Sequence, residues 1–189
     1  INSDEERNYR STHPLTRNRM VWINSSLKNY KNCEFDADRN MQKRFELLKA
    51  KLFGFTHPHT ETESVYNASN DVDIYATAVS SYFRGDHSKS ISNLKTLIKT
   101  NPSNPFYKEL IGEIYFANNE HEKAANYQTA AINQINEPND LYFMMIGSYL
   151  LTLDKEPSYK KAIQYLKKSL RINSKNAYAW YLLSRAYAQ

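Results

Sequence analysis

The chain has 189 residues with 4 glycines and 6 prolines, and the rest is rich in helix formers, which predicts an all-α protein of one or two small domains. It has no run of about 18 apolar residues, so no transmembrane segment is predicted, and the single Cys33 excludes an internal disulfide. The net charge is +5. The basic residues lie on predicted solvated helix faces and form no known nucleic-acid-binding motif, so nucleic-acid binding is disfavoured.

The N-terminal third predicts a lead-in followed by two helices. Residues 1–12 are polar and charged without a periodic apolar face, which predicts a flexible lead-in. Residues 13–54 predict a helical segment, with one helix from about Leu15 to Tyr30 and another from about Ala37 to Phe53, ended by Gly54. The two helices are expected to pack either on each other as a hairpin or along another domain.

Residues 55–70 are predicted to form a linker, because they are polar and turn-prone and show no helical period. His57 and His59 flank a proline there and could hold an adventitious metal ion. No third ligand lies near them in sequence, so a solvated linker is the favoured interpretation.

A pattern of small and apolar residues recurs through residues 71–189. Gly112 and Gly147 align with Ser184 and, in a more degenerate copy, with Ala78, at intervals of roughly 34 to 37 residues. Such a period is typical of stacked helix pairs in which small residues lie where two helices approach closely. The pattern predicts three full repeats and the first helix of a fourth, so we expect the sequence to be part of a longer protein.

Two features depart from this pattern. The third repeat has three extra residues between Gly147 and Ala162, which predicts a longer turn and a second helix that begins at Glu156-Pro157. The second repeat has Gln128 where an apolar residue is usual.

The repeats resemble the tetratricopeptide repeat. Trp180, Leu183 and Tyr187 match its first helix, and Ala162 with Leu166 its second. The resemblance implies a superhelix whose first helices line a concave groove for a protein or peptide partner. Tyrosine suits such contacts, although packing between repeats is favoured for most of the 15 tyrosines. The candidate partner-binding residues are Asn119, Tyr142, Tyr149, Tyr178 and Tyr181.

The common catalytic motifs are missing from the sequence. A zinc protease helix needs His-Glu-x-x-His, and the stretch that begins at His121-Glu122 lacks the second histidine. No serine or cysteine has a recognisable nucleophile setting, and there is no glycine-rich phosphate loop. The sequence therefore predicts neither catalytic residues nor a bound cofactor in this chain.

A second resemblance begins at Thr12-His13-Pro14-Leu15-Thr16. The order of segments is this motif, then a helix, then the stretch 43–55 and then repeats. This order resembles the region after the catalytic domain of bacterial zinc metallopeptidases of the HtpX/BepA type. The resemblance covers residues 11–189 and implies a periplasmic protein whose zinc ligands and catalytic glutamate lie upstream of Ile1. It also implies that the repeats position polypeptides for the protease, with the outer-membrane protein assembly machinery as a partner.

His13 is the one residue carried over from that family, as a candidate contact to the zinc of the absent domain. The alternative is that His13 turns the chain before a helix. A stand-alone repeat scaffold or assembly adaptor without an enzymatic parent competes with the whole interpretation. A His-Glu-x-x-His helix upstream of Ile1 would decide for the peptidase.

Overall fold

The computed structural model describes residues 38–67 and 69–189, together with Val21, Asn24 and Ser25. Its contacts divide the chain into two units, Ile1–Gln42 and Lys43–Gln189. The described residues form helices and turns without a strand, which confirms the predicted all-α class. The predicted lead-in 1–12 and most of the predicted helix Leu15–Tyr30 lie outside the described residues.

The helices of the described residues alternate with short turns. From α3 onwards they form pairs: the two helices of a pair pack on each other, and the second helix packs on the first helix of the next pair. The last helix, α9, packs on α7 and α8. The helices are α1 (Arg39–Thr56), α2 (His59–Val65), α3 (Asp71–Phe83), α4 (His87–Thr100), α5 (Pro105–Ala117), α6 (His121–Ile132), α7 (Asp140–Leu151), α8 (Glu156–Ile172) and α9 (Ala177–Tyr187).

An asparagine caps the first helix of every pair. Its side-chain oxygen accepts a hydrogen bond from a backbone N–H of the first turn, at 2.9 Å from Val72 in α3 and 3.0 Å from Ala179 in α9. Each such cap contributes about 1 kcal/mol to helix stability. The four capping residues, which recur at the repeat period, are Asn70, Asn104, Asn139 and Asn176.

The turns inside the three pairs share one backbone conformation. Gly85, Asn119 and Asp154 have φ values of 85°, 61° and 50°. This left-handed region is accessible to glycine and, at small cost, to asparagine and aspartate. The equivalent residue therefore reverses the chain in each pair, although its identity differs.

The small residues lie at helix contacts, as the repeat pattern predicts. A Cβ atom added at Gly147 would lie 2.6 Å from Cγ of Leu166 on α8, and one at Gly112 would lie 3.1 Å from Oε1 of Gln128 on α6. Ala162 is fully buried. In α9, however, Trp180 and Ser184 are exposed, because no second helix of a fourth pair covers them within the described residues.

The prediction of a linker at residues 55–70 is wrong for much of that segment. Helix α1 continues through Gly54 to Thr56, and α2 occupies His59–Val65. A Cβ atom at Gly54 would lie 2.5 Å from the carbonyl oxygen of Ala76, so glycine lets α1 approach α3 closely instead of ending the helix. The His59 ring nitrogen lies 2.9 Å from the Ser80 hydroxyl and ties α2 to α3. Such tertiary contacts hold a short helix that its own sequence would not stabilise.

The insertion in the third pair mainly lengthens helix α8 and adds less to the turn before it. The turn 152–155 has one residue more than the turns of the first two pairs, while α8 extends two turns ahead of Ala162. The predicted start at Glu156-Pro157 is confirmed. None of the described helices has the length and apolar character that a membrane crossing requires.

Candidate peptide-binding groove

Side chains of the first helices α3, α5 and α7 meet in one cluster. Burial, then the Glu109 charge, the hydrogen bond that the Tyr142 hydroxyl donates to the Glu109 carboxylate and the Glu113 charge together raise the pKa of Tyr142 to about 12. Burial, followed by the same carboxyl charges, also lifts the pKa of Tyr75 and Tyr149 well above the ordinary range. These tyrosines therefore remain neutral hydroxyls. The set Tyr75, Glu109, Glu113, Tyr142 and Tyr149 is called the acidic–tyrosine cluster below.

The two carboxyl groups of the cluster lie one turn apart on α5. Burial is the largest cause that raises the pKa of both Glu109 and Glu113. The Glu109 charge adds to the rise at Glu113, whereas the Lys51 ammonium lowers the pKa of both. Oε2 of Glu109 is buried and has no hydrogen-bond partner. The cluster thus concentrates negative charge in a partly desolvated place.

Lys51 reaches the cluster from α1. Leu47, Ala50 and Gly54 are buried at helical spacing, which fixes the face that α1 turns toward the repeats. On that face Lys51 is half-buried, and its ammonium lies 5.9 Å from the centre of the Phe106 ring on α5. A segment of α1 therefore packs against the first helices of the first two pairs, α3 and α5.

The predicted partner-binding residues fall into three settings. Tyr178 and Tyr181 are exposed on α9, with their rings stacked at 5.9 Å. Tyr142 is half-buried in the cluster, and Tyr149 is buried, with its ring stacked at 4.4 Å on Phe116. Asn119 is exposed in the turn between α5 and α6, away from the first-helix face.

The predicted zinc contact, His13, lies outside the described residues, so that prediction stays untested. Within the described residues, no group of three or more histidine, cysteine, aspartate or glutamate side chains could hold a metal ion.

Sequence reasoning missed Glu109, Glu113 and Lys51. A pair of glutamates four residues apart on a helix is ordinarily a solvated face, and nothing local distinguishes this pair. The repeat register does contain a signal, because Glu109 and Tyr181 follow their capping asparagines by the same number of residues as Tyr75.

Comparisons with known proteins agree with the fold. No family model matches the chain, and no curated protein matches it. Among solved structures it is similar to YrrB, described as a TPR protein with an unusual peptide-binding site, with TM-score 0.57 and 16% identity over 70% of this chain and 66% of that one.

Two further solved structures are similar at comparable levels. The first TPR of Spaghetti (RPAP3), bound to an HSP90 peptide, matches with TM-score 0.55 and 14% identity over 62% of this chain and 90% of that one. The Arabidopsis OM64 TPR domain matches with TM-score 0.54 and 18% identity over 63% and 95% of the two chains. At these identities the similarity establishes the fold: the chain has a tetratricopeptide-repeat architecture.

Proposed function

We propose that the first helices form a groove that binds a protein or peptide partner. One observation carries this proposal: large apolar side chains are exposed two residues after the capping asparagine in three consecutive first helices. Phe106, Leu141 and Tyr178 are 44%, 51% and 53% exposed. Repeat-equivalent positions on stacked helices form a continuous stripe, and contiguous exposed apolar surface marks interaction sites. The peptide bound in one similar structure and the peptide-binding site named for another support this use of the fold.

A selection experiment tests the groove. Peptides of about 12 residues would be selected from a random library on the wild-type protein, and their affinities measured on variants. We expect Leu141→Arg to weaken binding about tenfold or more, because it places a charge in the apolar stripe. Lys161→Ala on the exposed face of α8 is the matched control and should bind like the wild type. Equal binding by Leu141→Arg would contradict a groove on the first helices.

We further propose that this groove positions polypeptides for a periplasmic zinc metallopeptidase domain encoded upstream of Ile1. The Thr12–Thr16 motif and the order of segments support this proposal. In such a protein, a neutral His13 imidazole is a chemically suitable zinc ligand. The outer-membrane protein assembly machinery is then the partner class expected.

The gene sequence upstream of Ile1 tests the parent enzyme. A His-Glu-x-x-His helix there is the expected result, and its absence would leave a stand-alone scaffold as the function. In a full-length peptidase, His13→Ala should change the proteolytic rate or the zinc affinity without changing the melting of the repeats. If rate and affinity both match the parent, His13 is a turn residue.

A further inference from the structure

The two carboxyl groups of the acidic–tyrosine cluster lack a direct counter-ion. Among the described residues, no ion pair within 4.0 Å involves Glu109 or Glu113. Lys51 acts on both charges, but its ammonium is placed beside the Phe106 ring rather than against a carboxylate. The Tyr142 hydroxyl donates a hydrogen bond to the Glu109 carboxylate, but the buried Oε2 of Glu109 has no partner. Partly buried carboxylates without a counter-ion are costly, so the site has an unused capacity for positive charge.

A buried hydroxyl at the same place is also unpartnered. Tyr75 is 2% exposed and its hydroxyl makes no hydrogen bond. Tyr75 and Glu109 hold the same position relative to their capping asparagines on neighbouring first helices, and the Glu109 and Glu113 charges act on the Tyr75 hydroxyl. A buried phenol without a partner is a second, independent sign of a missing ligand group, because buried polar atoms are nearly always satisfied.

The surroundings favour an organic cation over a metal ion. The described residues provide no third histidine, cysteine, aspartate or glutamate ligand near the two carboxylates. They do provide aromatic rings, with Phe106 already facing an ammonium at 5.9 Å. Carboxylates combined with aromatic rings are the setting in which arginine and lysine side chains bind.

We propose that the acidic–tyrosine cluster is the specificity pocket of the groove, and that it takes an arginine or lysine side chain of the partner in place of Lys51. This inference rests on the proposed function and names the chemistry of the partner. Helix α1 then acts as an internal competitor, because Lys51 must give up its position when the partner's cation enters. The apolar stripe holds the rest of the peptide, and the cluster selects its charge.

The net charge of the chain distinguishes local binding of a cation from long-range attraction. The protein carries a net charge of +5, which repels basic peptides at long range. A preference for arginine would therefore have to come from a local acidic site. Citrulline provides the matched probe, since it has nearly the shape of arginine without the charge.

The experiment uses bead-displayed peptides of about 12 residues whose central residue is arginine on half of the beads and citrulline on the other half. Wild-type protein should retain arginine beads about tenfold more often. The Glu109→Gln/Glu113→Gln double variant should lose this preference, whereas Lys51→Met should retain more arginine beads than the wild type. Lys49→Met is the control, because Lys49 lies on the exposed face of α1 and pairs with Glu46 at 3.9 Å.

The outcomes separate this inference from the groove itself. Equal retention of arginine and citrulline beads by the wild type, with retention lost in Leu141→Arg, overturns the charge preference and leaves the groove in place. An arginine preference that persists in the double variant also overturns it, because the arginine side chain would then bind at another site. Retention of no beads at all contradicts both proposals. Thermal melts confirm that each variant is folded before its retention is scored.

Discussion

Gln128 is a buried polar side chain whose replacement should stabilise the protein. It is 0% exposed on α6, and neither atom of its amide has a hydrogen-bond partner. The equivalent position is Leu94 in the first pair and Leu166 in the third, both fully buried. A buried amide that loses its water contacts without a replacement costs about 1–3 kcal/mol.

Gln128→Leu removes that cost without a large change of volume. We expect the free energy of unfolding to rise by about 1–2 kcal/mol, since the desolvation penalty disappears and the two residues have similar helix propensities. The space is suitable: Gly112 faces this side chain as Gly147 faces Leu166, and a leucine already packs against Gly147.

Urea unfolding followed by far-UV circular dichroism measures this change, with the m-value checked for constancy. Gln164→Leu is the matched control, because Gln164 is exposed on α8 and its replacement should change stability by less than about 0.5 kcal/mol. A Gln128→Leu variant that is less stable than the wild type would refute the reasoning. It would mean that the amide is satisfied in solution or that the site cannot accept a branched side chain.

Three further predictions follow from single contacts. Ala162→Leu should destabilise the protein by about 1–3 kcal/mol, because Ala162 is fully buried where α8 meets α7; an unchanged melting temperature would contradict the repeat alignment. Gly85→Asn should be tolerated and Gly85→Val should not, because the equivalent turn residue Asn119 also adopts a positive φ, which a β-branched residue disfavours; melting temperatures of both variants check this. Burial raises the pKa of Glu113 above its ordinary 4.5, so folding loses stability as pH rises from 4.5 through the raised pKa. Glu113→Gln should therefore be more stable than the wild type at pH 7, and urea titrations should show this gap closing below about pH 4; a gap independent of pH would contradict the shift.

Much of the repeat architecture could be predicted because it depends on local chemistry repeated at a fixed interval. Small residues such as Gly112 and Gly147 mark helix contacts, and Glu156-Pro157 begins a helix by its own stereochemistry. The capping asparagines recur at the same interval and mark the start of each first helix. All five candidate partner-binding residues were expected to be exposed on first helices. Tyr178 and Tyr181 are, whereas Tyr149 is buried, Tyr142 is half-buried and Asn119 lies in a turn.

The candidate site depends instead on contacts between distant parts of the chain. Lys51 and Glu109 belong to elements separated by a whole helix pair. The sequence around either residue gives no sign that the other lies near it. Gly54 resembles a helix stop in sequence, yet the carbonyl of Ala76 leaves room there for glycine alone, so the helix continues and brings Lys51 to α5. The sequence by itself determined the helices, their pairing and their period, because capping, turn conformation and close packing act over a few residues. Tertiary structure alone decided that the charges of two glutamates act on a buried tyrosine and that Lys51 acts on both glutamates, because burial and charge depend on neighbours that the local sequence does not contain.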